Sequence, residues 1–512
     1  MFVFIEPVSK NIGMYVPAYP LPLMEIAGYV SSRINETEIK IISMPMDYGL
    51  PLTPAGRDHI HRQLLDDLTK LDPAGIGISC TAISQAEEVI HLCEMIKKLK
   101  PDLFIFVGGY FPTIYYEEIF SRTSAIDVIV RGEGEIPALE LIRDLEKGRP
   151  PRLSHIPGLV WKHNQHIEHS ASPIRFNLRD KAPLNLDLLK HPGEYDILPY
   201  AFSRGCPYQC NFCMEDYIRP HRREVPRETV KRDLQALVAG SSAHTLLVSD
   251  ALFKSFDLFP FFEQLGLKIN FETRCDVMDP DLIPRISASC GMLVLGFESA
   301  SYGTLRRMNK VRDRAHYEKY IANTLAIFKQ ATENHLPIMV FMIGGYPGDT
   351  EADLKESLAF ARKLSEHKGP GGHVFKIGEC HVYPRTKIYE LALSLGDVVF
   401  DDDGVFGQNV VREPSKGLNF ETVLAYNKEI FDLSNLTPKL QSTFLNMMPL
   451  FRLPVKALND PLIPESCYSG KSRTVLDVKG QSLATLKKYI PKLARKYKKE
   501  MSDQRTSRQL KI

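Results

Sequence analysis

The sequence predicts an α/β protein built from two parallel-sheet domains, followed by a mostly helical C-terminal extension. Strand and helix patterns alternate through residues 1–150, which is typical of a doubly wound sheet. A second alternation, of six apolar strands with helical segments, occupies residues 195–390. These repeats predict a partial (β/α)6 TIM barrel that is open on one side. Residues 151–194 are expected to form an ordered linker, and the extension covers residues 391–512.

The composition limits the classes of function. The chain has 512 residues, a formal net charge of +2, 44% hydrophobic residues and nine cysteines. The small net charge argues against a surface dominated by nucleic-acid or membrane binding. The cysteines are too few and too irregularly spaced for a secreted disulfide framework. No apolar run reaches the ~18–20 residues that span a bilayer, and the apolar start is too short for a signal peptide, so we expect a cytoplasmic protein.

The first domain is predicted from apolar runs and helical spacing. Its predicted strands are Phe2–Glu6, Glu38–Met44, Gly75–Ser79, Leu103–Val107 and Val128–Val130. Its predicted helices are Pro22–Ile34, Asp58–Leu71, Gln85–Leu99, Glu117–Phe120 and Ile136–Glu146. Doubly wound sheets bind ligands beyond the carboxyl ends of their strands.

Polar residues and glycines collect at three of those strand ends. Ser79-Cys80-Thr81 follows the third strand, Gly108-Gly109-Tyr110-Phe111-Pro112-Thr113 follows the fourth, and Arg131-Gly132-Glu133-Gly134-Glu135 follows the fifth. Glycine at such places lets a ligand approach the backbone closely. One Gly-Gly pair is usually only a tight turn, so the prediction of a ligand crevice depends on the three ends together.

The barrel is predicted from six apolar strands that follow the linker. Trp161 lies in the linker and is expected to pack in the protein interior. The predicted strands are Leu198–Ser203, Thr245–Asp250, Lys268–Arg274, Met292–Glu298, Pro337–Gly344 and His373–Tyr383. Chemistry in such barrels takes place at the C-terminal ends of the strands. Functional residues are therefore expected directly after each of these segments.

A cysteine-rich loop follows the first barrel strand. Cys206, Cys210 and Cys213 are spaced C-x3-C-x2-C, with Phe212 just before the last of them. Thiolates are soft ligands that select zinc, copper(I) or iron–sulfur centres. A structural zinc site closes with four protein ligands, whereas three cysteines suit a 4Fe–4S cluster with one iron open to a small molecule. The alternatives are a zinc site closed by His221 and unpaired structural cysteines.

The loop resembles the signature of the radical S-adenosylmethionine (SAM) enzymes. Other strand ends resemble further motifs of that family, namely Gly296-Phe297-Glu298-Ser299 with Met308-Asn309-Lys310, and Gly345-Tyr346-Pro347-Gly348-Asp349-Thr350. The resemblance implies that the three cysteines bind a 4Fe–4S cluster and that SAM binds the fourth iron. It also implies SAM contacts from the residues Phe212, Asp250, Glu298, Ser299 and Gly344.

Two features of these strand ends stay open. The turn after the sixth strand is Pro-Gly-Thr in the family but Pro384-Arg385-Thr386 here, which leaves its conformation undetermined. The alternative role of Glu298 is a salt bridge inside the barrel, with Arg274 as the expected partner.

The first domain resembles the cobalamin-binding domain found upstream of many radical SAM enzymes, in which Gly-Gly-x-x-Pro-Thr and Gly-Glu-Gly-Glu recur at these strand ends. The resemblance implies cobalamin contacts from Ser79, Thr81, Gly108, Gly109, Thr113, Gly132 and Glu133. The Asp-x-His-x-x-Gly motif, whose histidine ligates cobalt, does not occur in the sequence. We therefore expect cobalamin without a histidine ligand; a domain that has lost the cofactor is the alternative.

The sixth barrel strand carries an unusual number of polar groups. Period-two alternation divides them into two faces, one with His373, Glu379, His381 and Tyr383 and the other with Lys376 and Cys380. Charged groups inside a barrel are costly unless they are paired or functional. We expect Glu379, His381 and Tyr383 to line the substrate cavity as catalytic candidates. The alternative is an outward face that contacts the C-terminal region.

Together these features predict an enzyme in which SAM cleavage gives a 5′-deoxyadenosyl radical. The layout implies cobalamin-dependent C-methylation of an unactivated carbon. Oxidative cyclisation or ring rearrangement is the alternative enzyme class, and an iron–sulfur or cobalamin sensor is the non-catalytic alternative. Expected partners are a small-molecule, lipid, tetrapyrrole or peptide substrate and an electron donor such as flavodoxin or ferredoxin, without nucleic acid. The basic segment Gly480–Lys499 is expected to be a solvated helix face.

Overall fold

The computed structural model describes most of the chain up to residue 443. The described residues are 1–9, 18–34, 37–51, 54–195, 197–241, 243–396, 398–399, 411–412, 418–440 and 443. In this part of the chain no helix is long and apolar enough to cross a membrane. The predicted basic segment Gly480–Lys499 lies outside the described residues.

The first domain is a seven-stranded sheet with helices on both faces. Its strands are β1 (Phe2–Glu6), β2 (Ile39–Ser43), β3 (Gly75–Ser79), β4 (Phe104–Gly108), β5 (Val128–Val130), β6 (Leu159–His163) and β7 (His166–His169). Its helices are α1 (Leu21–Ser31), α2 (Met44–Asp47), α3 (Pro54–Leu71), α4 (Ile83–Leu99), α5 (Tyr110–Arg122) and α6 (Glu135–Glu146). The strand order is β2-β1-β3-β4-β5-β6-β7, with the first five strands parallel. The doubly wound class predicted from the sequence is confirmed.

The two faces of this sheet carry different cores, as the period-two alternation of a strand requires. Val3 and Ile5 belong to a core that includes apolar residues of α3, α4 and α5. Phe2 and Phe4 point to the opposite face and pack with α1 and α6. This second core continues without a break into the barrel, so the two domains share apolar packing rather than only a linker.

The predicted linker adds two strands to the first sheet. β6 pairs antiparallel with β5, and β7 pairs antiparallel with β6. The two-residue turn between them, Asn164-Gln165, has both φ angles positive, at 48° and 69°, as a type I′ hairpin requires. Trp161 lies half-buried in this hairpin opposite Glu168. The first sheet therefore extends beyond residue 150.

The second domain is an open parallel barrel. Its strands are β8 (Ile197–Tyr200), β9 (Ser203–Arg204), β10 (Arg223–Glu224), β11 (Thr245–Val248), β12 (Lys268–Arg274), β13 (Cys290–Glu298), β14 (Ile338–Gly344) and β15 (His373–Glu379). Its helices are α7 (Glu215–Ile218), α8 (Arg227–Gly240), α9 (Phe259–Gln264), α10 (Ile283–Ile286), α11 (Tyr302–Arg307), α12 (Arg314–Glu333), α13 (Glu351–Ser365) and α14 (Lys387–Ser394). Six parallel strands follow the order β15-β14-β13-β12-β11-β8. The strands β9 and β10 form a separate antiparallel pair at the base of the cysteine loop.

The described part of the extension covers one edge of the barrel. It comprises β16 (Val398–Val399), β17 (Val411–Arg412) and α15 (Phe420–Asp432). Helix α15 packs on β15 and α13. Asn435 then exchanges backbone hydrogen bonds with His373 of β15. The edge strand is thus partly covered, which protects its unpaired backbone groups.

Candidate active site at the domain junction

The cysteine loop leaves the barrel through a turn that only glycine fits. Gly205 has φ +85°, and a Cβ on it would lie 2.3 Å from the backbone oxygen of His221. Asn211 holds the far side of the loop, because its amide and side chain donate to the carbonyls of Met308 and Arg307 at 3.0 and 2.7 Å. Asn309 donates to the carbonyl of Gln209 at 2.7 Å. The Met-Asn-Lys segment singled out in the sequence therefore anchors the loop.

Cys206, Cys210 and Cys213 are free thiols of the loop, the first two half-buried and the last exposed. In the part of the chain that the structure describes, no three His, Cys, Asp or Glu side chains gather closely enough to hold a single metal ion. In a 4Fe–4S cluster each thiolate binds a different iron. The residues present fit that group, and each thiol must lose its proton when it binds iron.

Arg274 brings a positive charge to the loop. Its Nη1 donates to Cys210 Sγ at 3.2 Å. The guanidinium also lies over the ring of Tyr208, 3.9 Å from the ring centre. Asp276 fixes the same guanidinium through two hydrogen bonds of 2.8 and 2.9 Å. The sequence suggested Arg274 as a partner for Glu298, and this pairing is wrong. The guanidinium instead bonds to the Cys210 sulfur.

Glu298 pairs with Lys310. The buried ammonium lies 2.5 Å from Glu298 Oε1 and donates to the carbonyl of Gly296 at 2.6 Å. Glu298 has φ +71°, a left-handed conformation that is rare for a residue with a side chain. Burial, together with the neighbouring charge of Glu298, raises the pKa of Glu272 beside this pair. The left-handed backbone of Glu298 is strained, and strained residues persist where the surrounding structure holds them, often at functional sites.

The other predicted SAM contacts have protein partners of their own. Asp250 accepts hydrogen bonds from the backbone of Phe202 and Ser203 at 2.6 and 3.2 Å, so it fixes the entry to the cysteine loop. Ser299 Oγ lies 3.1 Å from Ser357 Oγ. Their contacts with SAM stay predictions.

Gly344 and Phe212 lie at the same end of the barrel. A Cβ on Gly344 would lie 2.2 Å from Oδ1 of Asn427, so the glycine admits helix α15. Phe212 packs against the main core, with the Lys310 ammonium 5.8 Å from its ring centre. The close approach of Asn427 is one reason for the glycine that the sequence did not reveal.

The first residue of the sixth strand faces the helices around the barrel. His373 packs against Phe328 of α12 and bonds to the carbonyl of Leu433, so its face of β15 points to the helices. Val374, on the other face, packs inside the barrel with Met339. The strand ends at Glu379, and beyond it alternation no longer applies. Glu379, His381 and Tyr383 follow at the rim, and their role stays a prediction.

The crevice of the first domain contains every residue predicted for it. A cavity of about 280 Å³ lies at the carboxyl edge of the sheet. Its lining includes all seven predicted cobalamin contacts, Ser79, Thr81, Gly108, Gly109, Thr113, Gly132 and Glu133. A second cavity of about 350 Å³ lies beside it and shares Ser79 and Thr81 of its lining. Barrel residues close its other side, among them Ser203, Arg204 and Gly205.

The glycines of the crevice fit a ligand that approaches the backbone. Gly109 has φ +123°, and a Cβ on it would lie 2.3 Å from the carbonyl oxygen of Cys80. Thr113 donates to the carbonyl of Gly109 at 2.7 Å and accepts from the amide of Gly132 at 3.0 Å. This bond ties two strand ends into one wall. The residues therefore fit a large cofactor such as cobalamin, held by backbone rather than by a histidine.

A buried charge network that sequence reasoning missed joins the crevice to the cysteine loop. Arg204, two residues before Cys206, lies 2.7 Å from Glu25, 3.3 Å from Glu133 and 2.5 Å from Glu135. Lys181 bridges Glu25 and Asp233 at 3.2 and 2.8 Å. These partners are far apart in sequence; the signal was the arginine preceding the loop and the two glutamates of Gly-Glu-Gly-Glu. Glu133 is therefore a junction residue as well as part of the crevice lining.

A second polar link crosses the junction nearer the cysteines. The hydroxyl of Tyr110, directly after Gly109, donates to Glu215 Oε2 at 2.8 Å. Glu215 follows Cys213 by two residues and pairs with Arg219 at 3.0 Å. The Gly-Gly turn of the first domain is thus bonded to the end of the cysteine loop.

Comparison with known proteins agrees with this geometry. The B12 binding domain family model matches residues 18–142, and the Radical SAM superfamily model matches residues 200–361. An uncharacterized methyltransferase of Pyrococcus horikoshii is 26% identical over 401 residues, 76% of this chain and 81% of that protein. The anaerobic magnesium-protoporphyrin IX monomethyl ester cyclase of Synechocystis is 24% identical over 60% of this chain and 63% of its own length.

The fold is also found in a solved structure. The cobalamin-dependent S-adenosylmethionine radical enzyme OxsB, with aqua-cobalamin and SAM bound, superposes with a TM-score of 0.66 at 16% identity. The match covers 83% of this chain and 66% of OxsB. The chain thus spans less than two thirds of the length of both the cyclase and OxsB.

Proposed function

The chain is a radical SAM enzyme with a B12-binding domain, and we propose that it catalyses cobalamin-dependent C-methylation of an unactivated carbon. The two matched domains imply a 4Fe–4S cluster, SAM and cobalamin as cofactors. A relative described as a methyltransferase, matched over 81% of its own length, supports methylation as the reaction.

The observation that carries the proposal is the shared cavity. Gly108 and Gly109 form one wall, and Ser203, Arg204 and Gly205, at the start of the cysteine loop, form the other. A group bound in the crevice therefore faces the loop that holds the cluster. Two cofactors on opposite walls of one cavity is the arrangement that methyl transfer to a substrate carbon radical needs, since proximity replaces diffusion.

When bound, the cluster and SAM supply a 5′-deoxyadenosyl radical and cobalamin supplies a methyl group. Cys206, Cys210 and Cys213 hold the cluster, and Arg274 gives Cys210 a charge-assisted hydrogen bond. Asp250 fixes the loop entry through the backbone. Around the cavity, one apolar core continues from the first domain into the barrel.

The substrate side of the cavity is assigned by proposal alone. We propose that Glu379, the last residue of the sixth strand, and His381 and Tyr383, which follow it, face the substrate. The substrate class is a small molecule, lipid, tetrapyrrole or peptide, and a flavodoxin or ferredoxin is the proposed electron donor. A cytoplasmic location would supply both the reducing conditions and this donor.

One experiment tests the cluster. The full-length protein is reconstituted anaerobically with iron, sulfide and SAM, reduced with dithionite, and assayed for 5′-deoxyadenosine. Cys210→Ala is expected to abolish the product, and Cys93→Ala, which changes a buried cysteine of the first domain, is the matched control. Product formation by Cys210→Ala at the rate of the control would refute the cluster assignment.

A second experiment tests cobalamin. The protein loaded with hydroxocobalamin is desalted, and the absorbance band that remains is measured. Gly109→Ala would place a methyl group 2.3 Å from a backbone oxygen, so we expect it to lose the band while 5′-deoxyadenosine is still formed. No retained band in the unmodified protein would remove cobalamin from the proposal.

Oxidative cyclisation is the second candidate, because of the 24% identity with the cyclase over 60% of this chain. SAM labelled in its methyl group separates the two reactions. Methylation predicts label in the cobalamin fraction of the reduced, cobalamin-loaded protein before any substrate is added. Absence of label there, with 5′-deoxyadenosine still formed, would favour cyclisation.

A further inference from the structure

The turn after the sixth barrel strand keeps the backbone that glycine would give. In the related motif the middle residue is glycine, whereas this chain has Arg385, with φ +65°. A residue with a Cβ in this conformation costs free energy. The turn is nevertheless kept, and Thr386 caps helix α14 directly after it. The strain must therefore be offset by what the arginine side chain contacts.

Helix α5 of the first domain presents a matching site. Tyr115 interrupts the helix with φ −113° and ψ 33°. The carbonyl of the preceding residue, Ile114, accepts a hydrogen bond from Arg385 Nη1. Glu117 and Glu118, just after the kink, lie 2.6 and 2.9 Å from Nη2. One guanidinium thus bonds to three acceptors of one helix.

The backbone of the turn joins the same contact and reaches the cysteine loop on its other side. The hydroxyl of Tyr115 donates to the carbonyl of Pro384 at 2.8 Å. Three residues after Arg385, the amide of Ile388 donates to the carbonyl of Asn211 at 3.0 Å. Asn211 lies between Cys210 and Cys213. The turn is therefore bonded to the crevice helix on one side and to the cluster loop on the other.

We propose that Arg385 is a positioning residue that latches the crevice helix to the cluster loop, and so fixes the distance between the cobalamin wall and the cluster. Helix α5 begins directly after Gly109 and carries Thr113, which bonds to Gly109 and Gly132. A shift of α5 would therefore move the crevice wall. The role given to this contact rests on the proposed function. The hydrogen bonds and ion pairs of Arg385 themselves do not depend on which reaction the enzyme catalyses.

The first test is a double-mutant cycle on the full-length protein, read as thermal unfolding. Arg385→Gly keeps the turn conformation and removes the side chain. We expect it to lower the Tm of the unmodified protein. In a Glu117→Ala/Glu118→Ala background the drop should shrink by more than half, because Arg385→Gly then loses only the bond to the Ile114 carbonyl and relieves backbone strain. An equal drop in both backgrounds would overturn the latch.

The second test measures the position of α5 through amide hydrogen exchange. Arg385→Gly should accelerate exchange several-fold in residues 110–122. The control Arg362→Ala breaks an exposed pair with Glu429 that links α13 to α15, and it should leave residues 110–122 unchanged. Arg385→Lys, which keeps the charge but loses the fork of donors, should give an intermediate rate. Unchanged exchange in both Arg385 variants rejects the proposal, whatever reaction the enzyme proves to catalyse.

Discussion

Two arginines cross the junction between the domains, and they differ in depth. Arg204 is buried among three carboxylates of the first domain, directly before the cysteine loop. Arg385 lies about one-third exposed at the rim, against two glutamates of one helix. A buried charge left without its partner is costly, whereas an exposed pair contributes little. We therefore expect Arg204 to decide whether the junction forms, and Arg385 to decide how closely it is held.

The largest effect should come from Arg204→Met. The change removes the cation that Glu25, Glu133 and Glu135 share, and leaves only Lys181 on Glu25 and Arg223 on Glu133. Breaking a buried ion pair in this way costs about 3–5 kcal/mol. Urea unfolding followed by circular dichroism would measure the loss.

Arg33→Met is the control, because Arg33 is exposed and stacks on Tyr29. Adding Glu25→Gln and Glu135→Gln to Arg204→Met should recover part of the loss. If Arg204→Met lost no more stability than Arg33→Met, the burial of Arg204 would not make it more important to stability than an exposed arginine.

The next effect concerns pH at the loop entry. Burial raises the pKa of Asp250 from 3.8 to about 6. The stability contributed by this group is therefore full below its unfolded pKa, and it is lost as the pH rises through the folded pKa. We expect Asp250→Asn to remove the decline between pH 4 and 6, and to gain about 1–3 kcal/mol at neutral pH. Thermal unfolding across this range measures it, and an unchanged slope would contradict the assignment.

A smaller effect is expected from Tyr110→Phe. The variant loses the 2.8 Å bond to Glu215 that joins the Gly-Gly turn to the cysteine loop, a contribution of about 1 kcal/mol. Tyr426→Phe removes a similar 2.9 Å bond to Glu351 outside the junction and serves as the control. Cobalamin retention after desalting should fall in the first variant and not in the second. Equal retention would mean that this link does not shape the crevice.

The smallest effect separates the two arginines by salt. At about 1 M ionic strength the Debye length is about 3 Å, so exposed pairs are screened far more than buried ones. The Tm difference between Arg385→Gly and the unmodified protein should shrink as salt rises. The difference for Arg204→Met should persist. If salt reduced the Tm differences of both variants equally, the two arginine contacts would not differ in their exposure to solvent.

Residues that act through their own backbone or spacing were predictable from the sequence. The seven crevice residues line one cavity because glycines and polar groups at parallel strand ends meet at the same edge. The cysteine loop follows the first barrel strand for the same reason. These features need only local pattern and fold class.

Pairings that depend on long-range packing were not predictable. Arg204 and Glu25 lie 179 residues apart, and nothing local marks them as partners. Glu298 pairs with Lys310 rather than with Arg274, because Asp276 and Cys210 already occupy that guanidinium. His373 of the sixth strand packs against Phe328 of α12, and alternation alone does not decide which face of a strand points into the barrel.

The left-handed turn at Arg385 also bears on how the latch could arise. Glycine and arginine codons are related by a change of the first base, so the substitution needs a single mutation. The backbone conformation would already be present in a glycine ancestor, and only the side chain is new. Relatives with glycine at this position would lack the arginine contact between their two cofactor domains. A change of one base would then alter how tightly the two domains are held together.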